Sequence, residues 1–353
     1  MEALHRRDPR IEFELFTQVP EWFFVDSLSR RFSYHSLLTD IGLVQKTPFA
    51  ADLPQTVTRL QDFYPSDPER VEHLAAALKR GQSELVICDI APLGIVAARS
   101  AGIPGLLVEN FTWDWIYEAY ATKHGGFSTH IDYLKTVFDS ADYRIQTEPV
   151  CRPNPADLTV SPVSRNPRTP AFQVRNQLGL PAGATVVLIT AGGIPFRFPC
   201  LERISGYSGI FFLIPGMSEK IEVRGSVILL PHHSGFYHPD LVNASDAVVG
   251  KVGYSTLTEV YWSGVPFGYV VRQGFRESEA LALFIEKHMA GMAIAEDALN
   301  DGSWVLGLRE LLSIKPHRPA GVNGADQIAE AILGWIGSDF PLSRGERDGR
   351  CPR

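Results

Sequence analysis

Two runs of alternating strand-like and helix-like segments, separated by a proline-rich stretch, restrict this chain to a two-domain α/β architecture. Short apolar, β-branched segments recur between amphipathic ones, the pattern of parallel sheets covered on both faces. In the first half, 11–17, 85–89, 105–108 and 143–147 read as strands, the last closing the sheet. Segments 71–80 and 93–101 have helical spacing, and a longer helical region spans 113–140. Six prolines then fall at 149, 153, 155, 162, 167 and 170. Proline fixes φ and lacks an N–H, so this stretch suits neither a helix nor a central strand. It is expected to be a linker with an edge segment, with the boundary near 165. The alternation restarts with strands at 186–190, 211–214, 227–230, 247–249 and 268–271. Helices are expected at 255–263, 277–288, 304–313 and 324–336. The domains are therefore 1–165 and 166–337, followed by a disordered tail at 338–353.

Charge and cysteine usage narrow the function. A net charge of -7 disfavours nucleic acid and membrane surfaces, which need clustered Lys and Arg. No apolar run approaches the ~20 residues that span a bilayer, and the polar N-terminus lacks a signal-peptide core. Cys88, Cys151, Cys200 and Cys351 show no metal or CxxC spacing. A cytoplasmic protein with reduced thiols, no metal and no cofactor is expected. Its oligomeric state is not legible.

The segment AVVGKVGYSTLTEVYWSGVP at 247–266 carries the chemistry. A strand runs into Gly250 and Gly253, and a helix starts near Ser255 or Thr256. Glycines admit close backbone approach, and a helix N-terminus offers unpaired N–H groups and partial positive charge, together a cradle for a diphosphate. Lys251 adds a cation. Thr256 and Glu259 also have the spacing of a capping box, a purely structural role. Neither a GxGxxG fingerprint nor a P-loop is present, so dehydrogenase and NTPase chemistry lose support. A second loop, Thr190 to Gly193, follows the first strand of the same domain, and open α/β sheets bind ligands beyond the carboxyl ends of their strands.

In the first half, Asp89 ends a buried strand, either as a proton acceptor or as a cap of the next helix. Asn110, Trp113, Asp114, Trp115 and Tyr117 follow another strand and combine indoles with a carboxylate, a pairing suited to sugars or to burial. His232, His233 and His238 lack a third ligand at metal spacing.

Four motifs carry a resemblance: CDIAP at 88–92, ENFTWDW at 109–115, PDLVNASD at 239–246 and GKVGYSTLTE at 250–259. They are similar to the N-terminal glycosyltransferase-like region of plant L-arabinokinases and its free-standing bacterial relatives. The 247–291 stretch resembles the family 28-type C-terminal domain of GT-B glycosyltransferases. The resemblance spans about 12–335. It implies two Rossmann-like domains facing a cleft, with acceptor on the first and a nucleotide-sugar on the second, typically UDP-linked. Carried over by residue, Gly253, Tyr254, Ser255 and Thr256 would meet the donor diphosphate, with Gly192 and Gly193 opposite. Glu259 would hold the ribose hydroxyls, and Arg276, Glu277 and Glu279 fall where the donor sugar is contacted. Family members open with a strand and a Gly-His-Gly-rich loop bearing the usual catalytic His. Met1 begins in what looks like the end of the following helix, so that strand and loop are expected to be missing. The implied activity is metal-independent glycosyl transfer (a hexosyltransferase) from a nucleotide-sugar to a small-molecule or glycan hydroxyl, with Asp89 as the remaining catalytic candidate. A non-catalytic nucleotide-sugar sensor and an epimerase are the alternatives.

Overall fold

A computed structural model describes residues 1–192, 198 and 201–337. Gly193, Cys200 and the expected disordered tail lie outside them. The chain divides into two compact units: 1–44, 51–163 and the segment from Val322 form the first, and 45–50 with 164–321 form the second.

The first unit begins with α1 (Glu2–Arg7), β1 (Glu14–Thr17), α2 (Glu21–Ser27) and β2 (Ser33–Ser36). Helices α3 (Leu53–Phe63) and α4 (Pro68–Arg80) follow. Both start where side chains satisfy orphan amides: Asp52 accepts from the Gln55 N–H and Asp67 from the Glu69 N–H, with a proline in each first turn. Then come β3 (Val86–Asp89), α5 (Pro92–Ala101), β4 (Gly105–Glu109) and α6 (Trp113–Ala121). The unit continues through α7 (Ser128–Asp139), β5 (Tyr143–Thr147) and β6 (Leu158–Val160).

Strands β3, β4, β5 and β6 form one parallel sheet in that order, and β1 pairs with β2 in a separate parallel pair. Strand β5 therefore does not close the sheet as expected. Three proline-free residues inside the proline-rich stretch, Leu158 to Val160, pair beyond it as an edge. Among the described strands, β1 and β3 have no hydrogen-bonded neighbour on their other sides, and Ile87 on β3 is 40% exposed.

The second unit comprises α8 (Ala171–Gln177), β7 (Thr185–Thr190), α9 (Leu201–Ser205), β8 (Ile210–Pro215), β9 (Glu222–Arg224) and β10 (Val227–Leu230). It continues with α10 (His238–Asn243), β11 (Ala247–Lys251), α11 (Tyr254–Ser263), β12 (Phe267–Val270) and α12 (Arg276–His288). Strand β13 (Gly291–Ala293), α13 (Glu296–Asp301) and α14 (Leu308–Ser313) complete it, α14 being preceded by a 3-10 turn where a single helix from 304 was expected. The sheet order is β13-β12-β11-β7-β8-β10-β9, parallel except for β9. Its central strands are apolar without alternation because both faces are buried. Val187, Val249 and Val270 pack on one side, and Val186, Val248 and Phe267 on the other.

From β7 the chain steps outward through β8 and β10, then returns to β11 and steps the other way. The order reverses between β7 and β11, which makes their carboxyl ends a topological switch point. Gly250 shows how tightly these strands meet. A Cβ there would collide with the Thr190 carbonyl of β7, so this glycine serves the sheet rather than a ligand.

The final helix, α15 (Gly324–Gly337), corrects the expected end of the second domain. Its Ala329 and Ile332 pack with Leu4, Leu106, Ile145 and Val160 of the first unit. Trp335 stacks on Tyr143 at 5.3 Å. Periodicity reveals an apolar stripe on a helix but not the unit against which it is buried.

Candidate functional site

The switch point of the second unit gathers most of the expected donor-side residues. Register pairs Gly250 with Thr190 and Lys251 with Val270, so the loops after β7, β11 and β12 leave the sheet side by side. Gly192 turns with φ +72°, a conformation that favours glycine. Helix α11 starts one residue earlier than expected, with Gly253 as an N-cap that offers no side chain to the first-turn amides. Its first internal bond runs from the Leu257 N–H to the Gly253 carbonyl, 2.9 Å. Thr256 sits at the third helical position and Glu259 deeper still, so the capping-box reading is overturned. Ser255 is exposed, Tyr254 half-buried and Thr256 buried.

Lys251 folds back over this helix start. Its Nζ lies 4.0 Å from where a Gly253 Cβ would be. Among the described residues the ammonium has no hydrogen bond or ion pair. Burial lowers its pKa, the nearby Arg272 guanidinium lowers it further, and Glu277 partly offsets them. Arg272 is 5% exposed, with its guanidinium carbon 4.5 Å above the Phe275 ring. Glu277 is buried in the first turn of α12, and among the described residues the Oγ of the fully buried Ser278 beside it has no hydrogen-bond partner. Arg276 is half-buried and Glu279 exposed. Two cations and a helix N-terminus thus lie near one carboxylate, a positively biased arrangement that suits an anion.

Glu259 is placed otherwise than as an open ribose acceptor. Its Oε1 accepts from Arg165 Nε and Nη2 at 3.0 and 2.7 Å, and its Oε2 lies 2.6 Å from His238 Nδ1. Burial would raise its pKa, but His238 and Arg165 more than compensate and hold the carboxylate ionised. Arg165 and Arg168 flank the Tyr237 ring at 5.2 and 4.4 Å, and Asp240 accepts from the Arg168 and Thr169 N–H groups. The buried Glu259 therefore organises a partly exposed Arg–His pair. Metal spacing said nothing of this role for His238, because its partner lies 21 positions away on another element.

In the first unit, the expected acceptor-side residues separate into two places. Asn110 Nδ2 contacts Cys151 Sγ at 3.6 Å, and its carbonyl accepts from the Cys151 N–H at 2.8 Å. Asp114 is buried 3.7 Å from Arg152, with Oδ1 unpartnered among the described residues. Trp113 turns elsewhere, its indole N–H donating to Asp40 Oδ2 at 2.9 Å. Trp115 and Tyr117 are buried. Asp89 ends β3 with its side chain exposed, so solvent contact argues against a carboxyl pKa raised by burial. It does not cap α5, whose N-cap is Ala91 with no side-chain bond. Ile90 follows with φ +46°, a strained setting for a β-branched residue and one that clusters at functional sites. Asp40 is the residue that sequence reasoning missed. It lies in an aperiodic loop and becomes informative only when folding brings it to Trp113 and Asp89.

Among the described residues, no group of three or more His, Cys, Asp or Glu is arranged to hold a metal ion, and no helix is long and apolar enough to cross a membrane.

The comparisons agree with the architecture. The chain is 29% identical to Arabidopsis thaliana L-arabinokinase over 328 residues, 91% of this chain but 31% of that protein. It thus spans about a third of its curated relative. A calicheamicin glycosyltransferase superposes with a TM-score of 0.59 at 13% identity, covering 96% of this chain and 94% of that one. A Polygonum tinctorium UDP-glucosyltransferase capable of glucosylating indoxyl gives 0.57 at 12% identity, covering 99% and 94%. No protein-family model matches the chain. The fold is that of the GT-B glycosyltransferases, and the resemblance to the L-arabinokinase region holds across nearly the whole chain.

Proposed function

We propose that this protein transfers a sugar from a nucleoside-diphosphate sugar to the hydroxyl of a small molecule or glycan, without a metal ion. One observation carries the reading: the Lys251 ammonium, partnerless among the described residues, stands at an N-cap without a side chain on the switch-point edge. A diphosphate supplies the negative charge this arrangement calls for. As the sugar leaves, charge grows on the departing phosphate oxygen, and Lys251 with the α11 amides are fixed to meet it. Gly192, Gly253, Tyr254, Ser255 and Thr256 line the diphosphate in this reading, and Glu277 faces the sugar. Glu259 acts through Arg165 and His238, whose side chains are 27% and 25% exposed and so remain open to the nucleoside. Trp113 and Asp89 serve the acceptor. The relative named as a UDP-glucosyltransferase makes a UDP-sugar the first donor to test.

The test is release of UDP from a panel of UDP-sugars by the full chain in EDTA, with water or added alcohols as acceptor. Metal-independent turnover of at least one donor is expected. Binding of UDP with no turnover of any donor marks a binding module instead, and absence of both rejects the assignment.

A further inference from the structure

We propose that the second unit carries another anion site, away from the switch point, that takes the phosphate of a small organic phosphate ester. A cavity of about 630 Å³ lies where the carboxyl ends of α11 and α12 meet the segment after α14. All of its lining belongs to the second unit. Its size falls among small-molecule sites, about 300–1,000 Å³. Lys287, His288, Lys315, His317 and Tyr261 supply the polar side chains, and no carboxylate is among the described lining residues. In a chain with 40 Asp and Glu against 33 Lys and Arg, that lining is strongly biased towards positive charge. Met289 and Ile314 add apolar surface.

The walls are fixed by packing that needs no ligand. Gly264 turns with φ +72°, and a Cβ there would lie 2.8 Å from the Arg318 backbone nitrogen, so the 317–318 segment is pressed onto the end of α11. The His317 N–H donates to the Gly264 carbonyl at 3.0 Å, and Arg318 Nε to the Ser263 carbonyl at 2.8 Å. On the other wall, the Tyr261 ring lies 5.4 Å from Phe284, which lies 4.8 Å from His288. The donors that face this space are unused. Among the described residues, Lys287, Lys315 and the Tyr261 hydroxyl make no hydrogen bond or ion pair. Burial pushes the Tyr261 phenol up, which keeps it a donor.

A competing account is that these cations only answer helix ends, each worth about half a negative charge. Lys287 and His288 do lie in the last turn of α12, and Lys315 follows α14. The end of α11, however, is already met by Arg318 and the His317 N–H. Two ammonium groups against the ends of α12 and α14 leave a surplus of about one positive charge before either imidazole is counted. A phosphate monoester brings about −1.5 to −2 charge at pH 7 and three acceptor oxygens. That matches two ammonium groups and a phenol better than a carboxylate, with its single charge. The organic part then has Met289 and Ile314 to cover.

The site is separate from the one proposed for the nucleoside diphosphate. Ala290 immediately precedes β13, and its carbonyl accepts from the Phe267 N–H at 2.8 Å, so the cavity lies at the amino ends of β12 and β13. Lys251 and Gly253 lie at the carboxyl ends. Along α11, at 1.5 Å per residue, Tyr261 is about 12 Å from Gly253. The inference therefore stands or falls independently of the transferase reading.

The experiment is calorimetric titration of phenyl phosphate, and of inorganic phosphate, into the full chain with and without saturating UDP. The same titrations are made with Lys251→Ala, with Tyr261→Phe and with the double variant Lys287→Ala, Lys315→Ala. Saturable binding of phenyl phosphate is expected, tighter than that of inorganic phosphate and unchanged by UDP or by Lys251→Ala. The double variant should weaken it about tenfold or more, and Tyr261→Phe by a smaller factor. No saturable binding by the full chain overturns the site. So does equal affinity in the double variant, and a lowered thermal melt with that result assigns the lysines to the helix ends. Displacement by UDP, or loss in Lys251→Ala, places the phosphate at the switch point instead and equally overturns it. Equal affinity for the two probes rejects an organic ester as the ligand.

Discussion

Consider what Asp40→Asn does to stability. In the folded protein the Asp40 carboxyl is raised to about 6 from an ordinary value of 3.8, chiefly by burial. The ionised form is thus less favourable folded than unfolded. Each unit is worth about 1.4 kcal/mol, so the shift of about two units corresponds to a penalty of about 3 kcal/mol above pH 6. Asp40 is only half-buried, and solvent screening reduces this to about 1.5 kcal/mol. The penalty is fully present above the folded value and disappears as pH falls through 6 towards 4. Asparagine resembles the protonated acid and keeps a carbonyl oxygen for the Trp113 N–H. Asp40→Asn is therefore expected to stabilise the first unit at pH 8 and to change little near pH 4. Urea unfolding at both pH values, read by tryptophan emission, measures it. A variant less stable than wild type at pH 8 would refute the reasoning and make Asp40 a structural residue.

Three further substitutions probe other parts of the molecule. Glu259→Gln leaves Arg165 and His238 without their buried counter-charge and should cost about 2 kcal/mol in a thermal melt; an unchanged melt would show the cluster to be inert. The folded Glu259 pKa lies below its ordinary value, so its contribution is present above pH ~4.5 and lost on acidification. Gly250→Ala drives a methyl group into the Thr190 carbonyl and should destabilise the second unit by about 1–3 kcal/mol; a neutral result in urea unfolding would mean the β7–β11 pair can part. Leu257→Ala empties a fully buried position on α11 and should cost about 2–5 kcal/mol, and a smaller loss would place that helix less firmly on the sheet.

The second unit was the more readable half, for a physical reason. Strands buried on both faces, such as those ending at Thr190 and Lys251, are continuous apolar runs that stand out from their loops. The strand-to-helix step at Gly253 is likewise local. What escaped was non-local. Short elements such as β2 and α2 have mostly exposed or half-buried side chains and no clear period. Glu259 could be assigned to a ribose because nothing in its own neighbourhood announces Arg165, 94 positions away. The stripe on α15 was visible, but its destination on Tyr143 was not. Asp40 sits in a loop without pattern, and only its indole partner, 73 positions on, gives it meaning.

The most direct measurement for the whole account is calorimetric titration of UDP into the full chain and into Lys251→Ala, both in EDTA. A charged hydrogen bond contributes about 1.5–3 kcal/mol, so loss of the ammonium should weaken binding about 10- to 100-fold without lowering the thermal melt, since it removes a desolvated charge. Tight, EDTA-resistant binding that depends on Lys251 is the predicted result. Failure of the wild-type chain to bind UDP, or equal affinity in both proteins, would contradict the placement of a nucleoside diphosphate at the β7–β11 switch point.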